Sequence, residues 1–257
     1  MCADSMIPES IDNTIRNITD KPSKTLGEVL NAILNCCKPV NRILVKGEMN
    51  RINREDHLRT YQAQLCKSIQ EIPTDRLAEP NTQFIMGALI DSQYCLEDDE
   101  LRAMFVKLVT SSVDLATSSK VRPVFSNIIR HITPLDAHNL ALFRKSRSYP
   151  IAQYKYRLKT HSKLMDRNVF LANEEVSDIP TQSSSMITLS IFGLVSITYD
   201  EWISEDSKYI PFENTEQFIM MKAYANRPDN DIDSVYIQKG IIELTDFGKV
   251  FIDVCLP

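Results

Sequence analysis

Apolar positions recur along this chain at two spacings, and the change from one to the other divides it. In the first half the spacing is helical. Phe84, Ile85, Ala88, Leu89 and Ser92 fall three or four residues apart and mark one buried helix face. Pro80 and Asn81 precede them, with Asn81 placed to cap the open amides of the first turn. The acidic run Glu97, Asp98, Asp99, Glu100 predicts the next helix start, because carboxylates there face the positive end of the helix dipole. Leu101, Met104, Phe105, Leu108 and Val109 form its stripe, with Glu100, Arg102 and Lys107 expected off it. Pro123 opens a third helix with Val124, Phe125, Ile128 and Ile129 as its apolar face. Thr133, Pro134 and Asp136 open a fourth, with Leu135, Leu140 and Phe143 turned inward.

Upstream, Leu26, Val29, Leu30, Ile33 and Leu34 predict a helix that Pro39 ends. Residues 45–69 read as one long polar helix with a narrow stripe of Met49, Ile52, Leu58, Tyr61, Leu65 and Ile69. Such a helix lies along the edge of a bundle or pairs with a second copy. Residues 1–24 are expected to form a flexible tail, since they carry few large apolar groups.

Downstream the spacing shortens. Residues 168–180 read as an acidic loop, and Ser183 to Ser185 as the cap of a short helix over 186–192. Gly193 is placed to end that helix in the left-handed conformation. Leu194 to Thr198 reads as a strand, 215–225 as a helix, and 234–244 as a hairpin turning at Gly240. Thr245 then caps a last helix bearing Phe247, Val250, Phe251 and Val254. The expected fold is mainly α: a helical domain over 25–132, then a winged-helix-like α+β module over 133–257 with a small β-hairpin and a basic insertion at 144–167.

Charge changes the picture in one place. The whole chain carries a formal net charge of −5. Between residues 144 and 167, however, Arg144, Lys145, Arg147, Lys155, Arg157, Lys159, Lys163 and Arg167 face the single acid Asp166, with Tyr149, Tyr154 and Tyr156 interleaved. Cations among aromatics suit nucleic acid, because phosphates attract the former and bases stack on the latter. A solvated surface segment is the alternative. The remainder beyond residue 168 is acidic, which turns a winged helix there towards protein contact rather than DNA.

Catalytic patterns are missing from the sequence. It holds no Walker-type loop, no G-x-G-x-x-G, no H-E-x-x-H, no C-x-x-C and no G-x-S-x-G. His57, His131, His138 and His161 are spread without partners at ligand spacing. Cys2, Cys36, Cys37, Cys66, Cys95 and Cys255 read as reduced and mostly buried thiols. No apolar run is long enough to span a bilayer, and no secretory signal is recognisable, so the expected location is cytoplasmic.

The helix joints resemble those of the abortive-infection alpha family of bacterial proteins. The resemblance rests on Ile72-Pro73, Leu77-Ala78-Glu79-Pro80, Asp99-Glu100-Leu101-Arg102-Ala103-Met104-Phe105, Pro123-Val124-Phe125 and Thr133-Pro134-Leu135-Asp136. It continues in Gly193-Leu194-Val195 and in the closing Leu244-Thr245-Asp246-Phe247-Gly248-Lys249-Val250-Phe251. Arg122 stands where the family often has histidine before the third helix, so no role for that histidine transfers. The resemblance implies phage defence and supplies no catalytic residues. Glu79, Pro80, Glu100, Arg102, Pro123 and Asp136 are expected to be structural. The expectation is therefore a non-enzymatic protein, without cofactor or metal, that binds a protein partner or phage component. A homodimer is possible, and no membrane is involved. A nucleic-acid-binding regulator is the alternative, followed by an uncharacterised hydrolase or nuclease.

Overall fold

The computed structural model describes residues 24–44, 51–228 and 230–257. The expected tail, the start of the polar helix with Lys46, Glu48 and Met49, and Cys2 lie outside the described residues. So do the side chains of Ile52 and Cys37. The described chain divides into two compact units. One takes the chain up to Pro134 together with Asp253–Pro257, and the other is Leu135–Ile252.

The first unit is helical: α1 (Lys24–Leu44), α2 (Arg51–Gln70), α3 (Thr82–Ser92), α4 (Asp99–Ser112) and α5 (Val124–His131). α3 touches α1, α4 and α5, and α4 also touches α2. Ile85, Leu89, Phe105, Leu108 and Ile129 are sealed in this core with Leu30, Ile33, Tyr61 and Leu65. The caps follow the sequence. Asn81 accepts from the Phe84 amide at 3.1 Å, and Asp98 accepts from Glu100 and Leu101 at 3.0 and 2.9 Å. Between α2 and α3 the chain bridges to the end of α4. Ala78 N donates to the Val113 carbonyl at 2.8 Å, and Arg76 forks onto Asp114.

Three expectations fail in this unit. α1 runs through Pro39 to Leu44: a proline removes one helical hydrogen bond but does not oblige the chain to leave the helix. Val124 is exposed rather than apolar-facing, because it sits at the first position of a short helix whose buried side is set by Phe125, Ile128 and Ile129. Arg102 is buried rather than off the stripe. Its Nη1 donates to the Leu96 carbonyl at 2.6 Å, its Nε reaches Gln64 Oε1 at 3.4 Å, and its Nη2 pairs with Asp99.

The second unit contains α6 (Pro134–Leu142) from Leu135 onward, β1 (Ser148–Leu158), β2 (Ser162–Val169), α7 (Ile179–Ile191), β3 (Val195–Thr198), α8 (Ile210–Glu213), α9 (Glu216–Ala225) and β4 (Ile232–Leu244). α10 (Asp246–Cys255) closes the chain. The strands form an antiparallel sheet in the order β2-β1-β4-β3. On one face Ala152, Tyr154, Tyr156 and Val169 meet Tyr209, Phe212, Phe218 and Met221 in a closed core. Tyr154 OH donates to the Phe212 carbonyl, and Tyr209 OH to the Gly240 carbonyl, so the buried phenols are satisfied. α7 packs on β2 and β3. It is pinned to α6 by buried amides: Asn139 Nδ2 donates to Gln182 Oε1 and Ser185 Oγ, and Asn139 Oδ1 accepts from Asn173 Nδ2.

The hairpin expected at Gly240 does not form. β4 is continuous, with Gly240 paired to Ile151. A two-residue hairpin turn needs positive φ, and Gly193 is the glycine that has it (φ 68°), ending α7 as its sequence position predicts. Gly240 is glycine for another reason: a Cβ there would lie 2.5 Å from Tyr199 Cδ1 and 2.6 Å from the Thr198 carbonyl oxygen. The small hairpin lies instead in the basic stretch, where β1 turns into β2 with Leu158 N donating to the His161 carbonyl. α7 also starts earlier than expected. Asp178, not a serine, caps it by accepting from Thr181 N at 2.9 Å, and Pro180 sits in its first turn.

Among the described residues no helix is long and apolar enough to cross a membrane.

Candidate functional site

The alternation of β1 decides where its cations go. Successive strand residues point to opposite faces. Because Tyr154 and Tyr156 are buried in the core, Gln153, Lys155 and Arg157 must lie on the other face. Register extends that face across the sheet. Tyr236 and Gln238 of β4 pair with Lys155 and Gln153, and Ser162 and Leu164 of β2 pair with Arg157 and Lys155. Ile197 of β3 joins through its pairing with Ile242. No paired strand position on this face carries a carboxylate. Asp166 and Glu243 pair with Tyr154 and Ser148 and so point to the opposite side, where Gln217 holds Asp166 at 3.2 Å.

The cations on this face are fixed by neutral neighbours. Arg157 lies over the Tyr236 ring with its Cζ 4.9 Å from the centroid, and Tyr236 OH donates to Ser162 Oγ at 2.9 Å. Lys155 Nζ donates to Gln238 Oε1. Arg167, at the end of β2, has no carboxylate partner among the described residues. Four other cations of the unit are paired: Arg147 with Asp246, Lys208 with Glu205, Lys222 with Glu213 and Lys239 with Asp206.

The basic residues anticipated from sequence therefore do not form one patch. Lys155 and Arg157 come together, and Arg167 joins their face. Lys163 pairs with Tyr156 and points to the other side. Lys159 is in the β-turn, and Arg144 and Lys145 lie in the turn after α6. Arg147 precedes β1 and is about 25 Å from Lys155 along an extended chain. Sequence reasoning missed Gln153, Asn168, Tyr199, Tyr236 and Gln238. The period of two across Ala152, Tyr154 and Tyr156 was the signal for the first and for the face it lies on. The others depend on strand pairing that no local pattern reveals.

At the Gln153 end the face runs into a cavity of about 280 Å³. Its polar lining is Gln153, Arg167, Asn168, Ser190 and Tyr199, and Ile187, Ile191 and Ile197 supply the apolar wall. Asn168 adopts φ 53°, a left-handed conformation that asparagine tolerates better than most residues. This turns its amide to the Tyr199 hydroxyl, which accepts from Asn168 N at 3.2 Å and donates to Asn168 Oδ1 at 2.7 Å. The Gln153 side chain also bonds that hydroxyl. Burial pushes the Tyr199 phenol up to about 12, against a smaller opposing effect of these bonds and of Arg167. Tyr199 is therefore neutral at physiological pH.

Among the described residues no group of three His, Cys, Asp or Glu side chains is placed to hold a metal ion. His131 and His138 are both exposed, and His131 Nδ1 lies 2.7 Å from the Asn127 carbonyl oxygen of its own helix. Cys66, Cys95 and Cys255 are buried free thiols whose pKa values are raised by that burial, Cys95 to about 11, which disfavours the reactive thiolate.

Compared with known families, residues 53–255 match the one described as abortive infection alpha. The chain belongs to the abortive infection alpha family. No curated protein and no solved structure gives a match. In this abortive-infection protein the six residues expected from sequence to be structural occupy separate places. Glu79 and Pro123 are exposed, Pro80 and Glu100 are half-buried, and Arg102 and Asp136 are buried. None of the six lines the cavity. The family links the chain to phage defence by abortive infection.

Proposed function

We propose that this protein serves abortive infection by binding a macromolecule rather than by catalysis. Its contact surface is the open end of this sheet face, around Lys155 and Arg157, which α7 leaves uncovered, and its ligand is single-stranded nucleic acid. The observation that carries this reading is the sorting of charge within one unit. Lys155, Arg157 and Arg167 share a face on which no paired position is acidic, while four other cations of the unit, Arg147, Lys208, Lys222 and Lys239, are paired with carboxylates. A phosphate backbone gains from unneutralised cations, and a base stacks on the Tyr236 ring or on the Arg157 guanidinium plane. Three cations in an acidic protein suit a short single strand better than a duplex, whose charge density is greater. Contact is then on the flat of the sheet rather than on a wing.

The test is a phage challenge of bacteria expressing the wild type or the Lys155→Glu/Arg157→Glu double variant, at low and high phage-to-cell ratios. The wild type is expected to protect the culture at low ratio and to let cells die at high ratio, with reduced phage yield. The folded double variant is expected to lose this. Full protection by the double variant refutes the assignment of the face.

A second reading, contact with a protein or with a second copy, is favoured by one observation. Ile210 of α8 and Ile219, Met220 and Tyr224 of α9 are about half exposed. Sedimentation of the wild type and of Ile219→Glu/Met220→Lys checks it: a dimer that the variant dissociates supports this reading, and a monomeric wild type removes the homodimer.

A further inference from the structure

We infer that the cavity beside Tyr199 binds one nucleotide, with its phosphate monoester on Arg167 and its base or sugar against Ile187, Ile191 and Ile197. This rests on the sheet-face reading above and names the group that the end of that face recognises.

The lining divides in a way that fits such a ligand. At the mouth Arg167 is exposed and without a carboxylate partner among the described residues, so its donor fork is available to a doubly charged oxyanion. The other polar groups are neutral. Tyr199 gives its proton to Asn168 Oδ1, which leaves the Asn168 Nδ2 hydrogens as the donor end of that amide. Among the described residues no carboxylate lines the cavity. Ile191 is 75% exposed and Ile187 is 40% exposed, an apolar rim that a flat ring covers. The volume, about 280 Å³, lies just under the range of drug-sized ligand sites and so takes one nucleotide at most. Position adds to this. Gln153 lines the cavity and is two residues from Lys155 on the same face of β1, so a strand lying along Arg157 and Lys155 leads into the cavity.

Two sources offer the same chemistry: the 5′-phosphorylated end of a strand, and a free mononucleotide. Calorimetry with 5′-AMP and with inorganic phosphate addresses the free form. Anisotropy with one short labelled oligonucleotide, made with a 5′-phosphate or a 5′-hydroxyl, addresses the strand end. The expected result is about tenfold tighter binding of the 5′-phosphorylated strand, a preference that Arg167→Gln erases and that Lys155→Gln/Arg157→Gln keeps while weakening both strands alike. Ile191→Glu, a change at an exposed position, is expected to erase the same preference by placing a carboxylate at the mouth. Equal binding of the two strands together with no heat from 5′-AMP overturns the inference and leaves the sheet-face reading standing. Arg167-dependent binding of 5′-AMP with no binding of either strand supports a free-nucleotide site and overturns the sheet-face reading instead.

Discussion

Neutralising the open face makes a quantitative prediction. Lys155, Arg157 and Arg167 are the cations on it, each without a carboxylate partner among the described residues, so the wild type neutralises up to three phosphates. For a single strand each such contact contributes about −0.7 to the slope of log affinity against log salt, giving about −2 in total. Raising salt from about 50 to about 200 mM then weakens wild-type binding by about 18-fold. In Lys155→Gln/Arg157→Gln one contact remains, the slope falls to about −0.7, and the same change of salt costs about threefold. Anisotropy of a labelled single strand, titrated at several potassium chloride concentrations, reads the slope directly. Arg147→Gln/Lys208→Gln serves as the control, because both cations already face carboxylates, Asp246 and Glu205. An unchanged slope in the face variant refutes the reasoning. So does an equal loss of slope in the control, since net charge alone would then account for it.

Three further outcomes test the scaffold. Asn139→Ala removes three buried hydrogen bonds and strands Gln182, Ser185 and Asn173, which should cost about 3 kcal/mol in a urea melt; a loss below about 1 kcal/mol would show that the amides find other partners. Arg102→Met keeps the buried stem but leaves the Leu96 carbonyl without its charged donor, for an expected loss of about 2 kcal/mol, with the exposed Asp99 adding little. Gly240→Ala forces a methyl against Tyr199 and the Thr198 backbone, for an expected cost of about 1–3 kcal/mol and an earlier onset of tyrosine ionisation at high pH as Tyr199 loses its shelter; wild-type stability and titration would show that the contact relaxes freely.

What could be read from sequence was local. Asn81, Asp98, Gly193 and Thr245 act within a few residues of themselves, and each does at its helix end what its chemistry dictates. Arg102 was misplaced because periodicity counts arginine as polar, whereas its stem packs in the core and its head answers a carbonyl six residues back. The β1–β2 hairpin was hidden by its own charge. Lys155, Arg157, Lys159 and Lys163 drew the reading to composition, although Ala152, Tyr154 and Tyr156 alternate with them at the period of a strand. The cavity could not be read at all. It needs the register shift between Ala152 and Tyr154, the left-handed Asn168, and Tyr199 arriving from β3 over a bare Gly240.

The same alternation couples the core to the surface. A one-residue slip of β1 would expose Tyr154 and Tyr156 and bury Lys155 and Arg157, so the register that closes the core also fixes the charge of the open face. Stability gives little reason for that charge: the Arg157 contact with the Tyr236 ring contributes about 1 kcal/mol at most. Exposed ion pairs contribute at most about 1 kcal/mol, and neutral side chains at 155, 157 and 167 would serve the core as well. Nor does solubility explain it, since cations bring a chain of net charge −5 closer to neutrality. Four other cations of the unit sit beside acids, while these three sit beside Gln238, Tyr236 and the neutral cavity lining. An arrangement that helps folding little and solubility not at all is best accounted for by a negatively charged partner, and the salt dependence of Lys155→Gln/Arg157→Gln is where that account stands or falls.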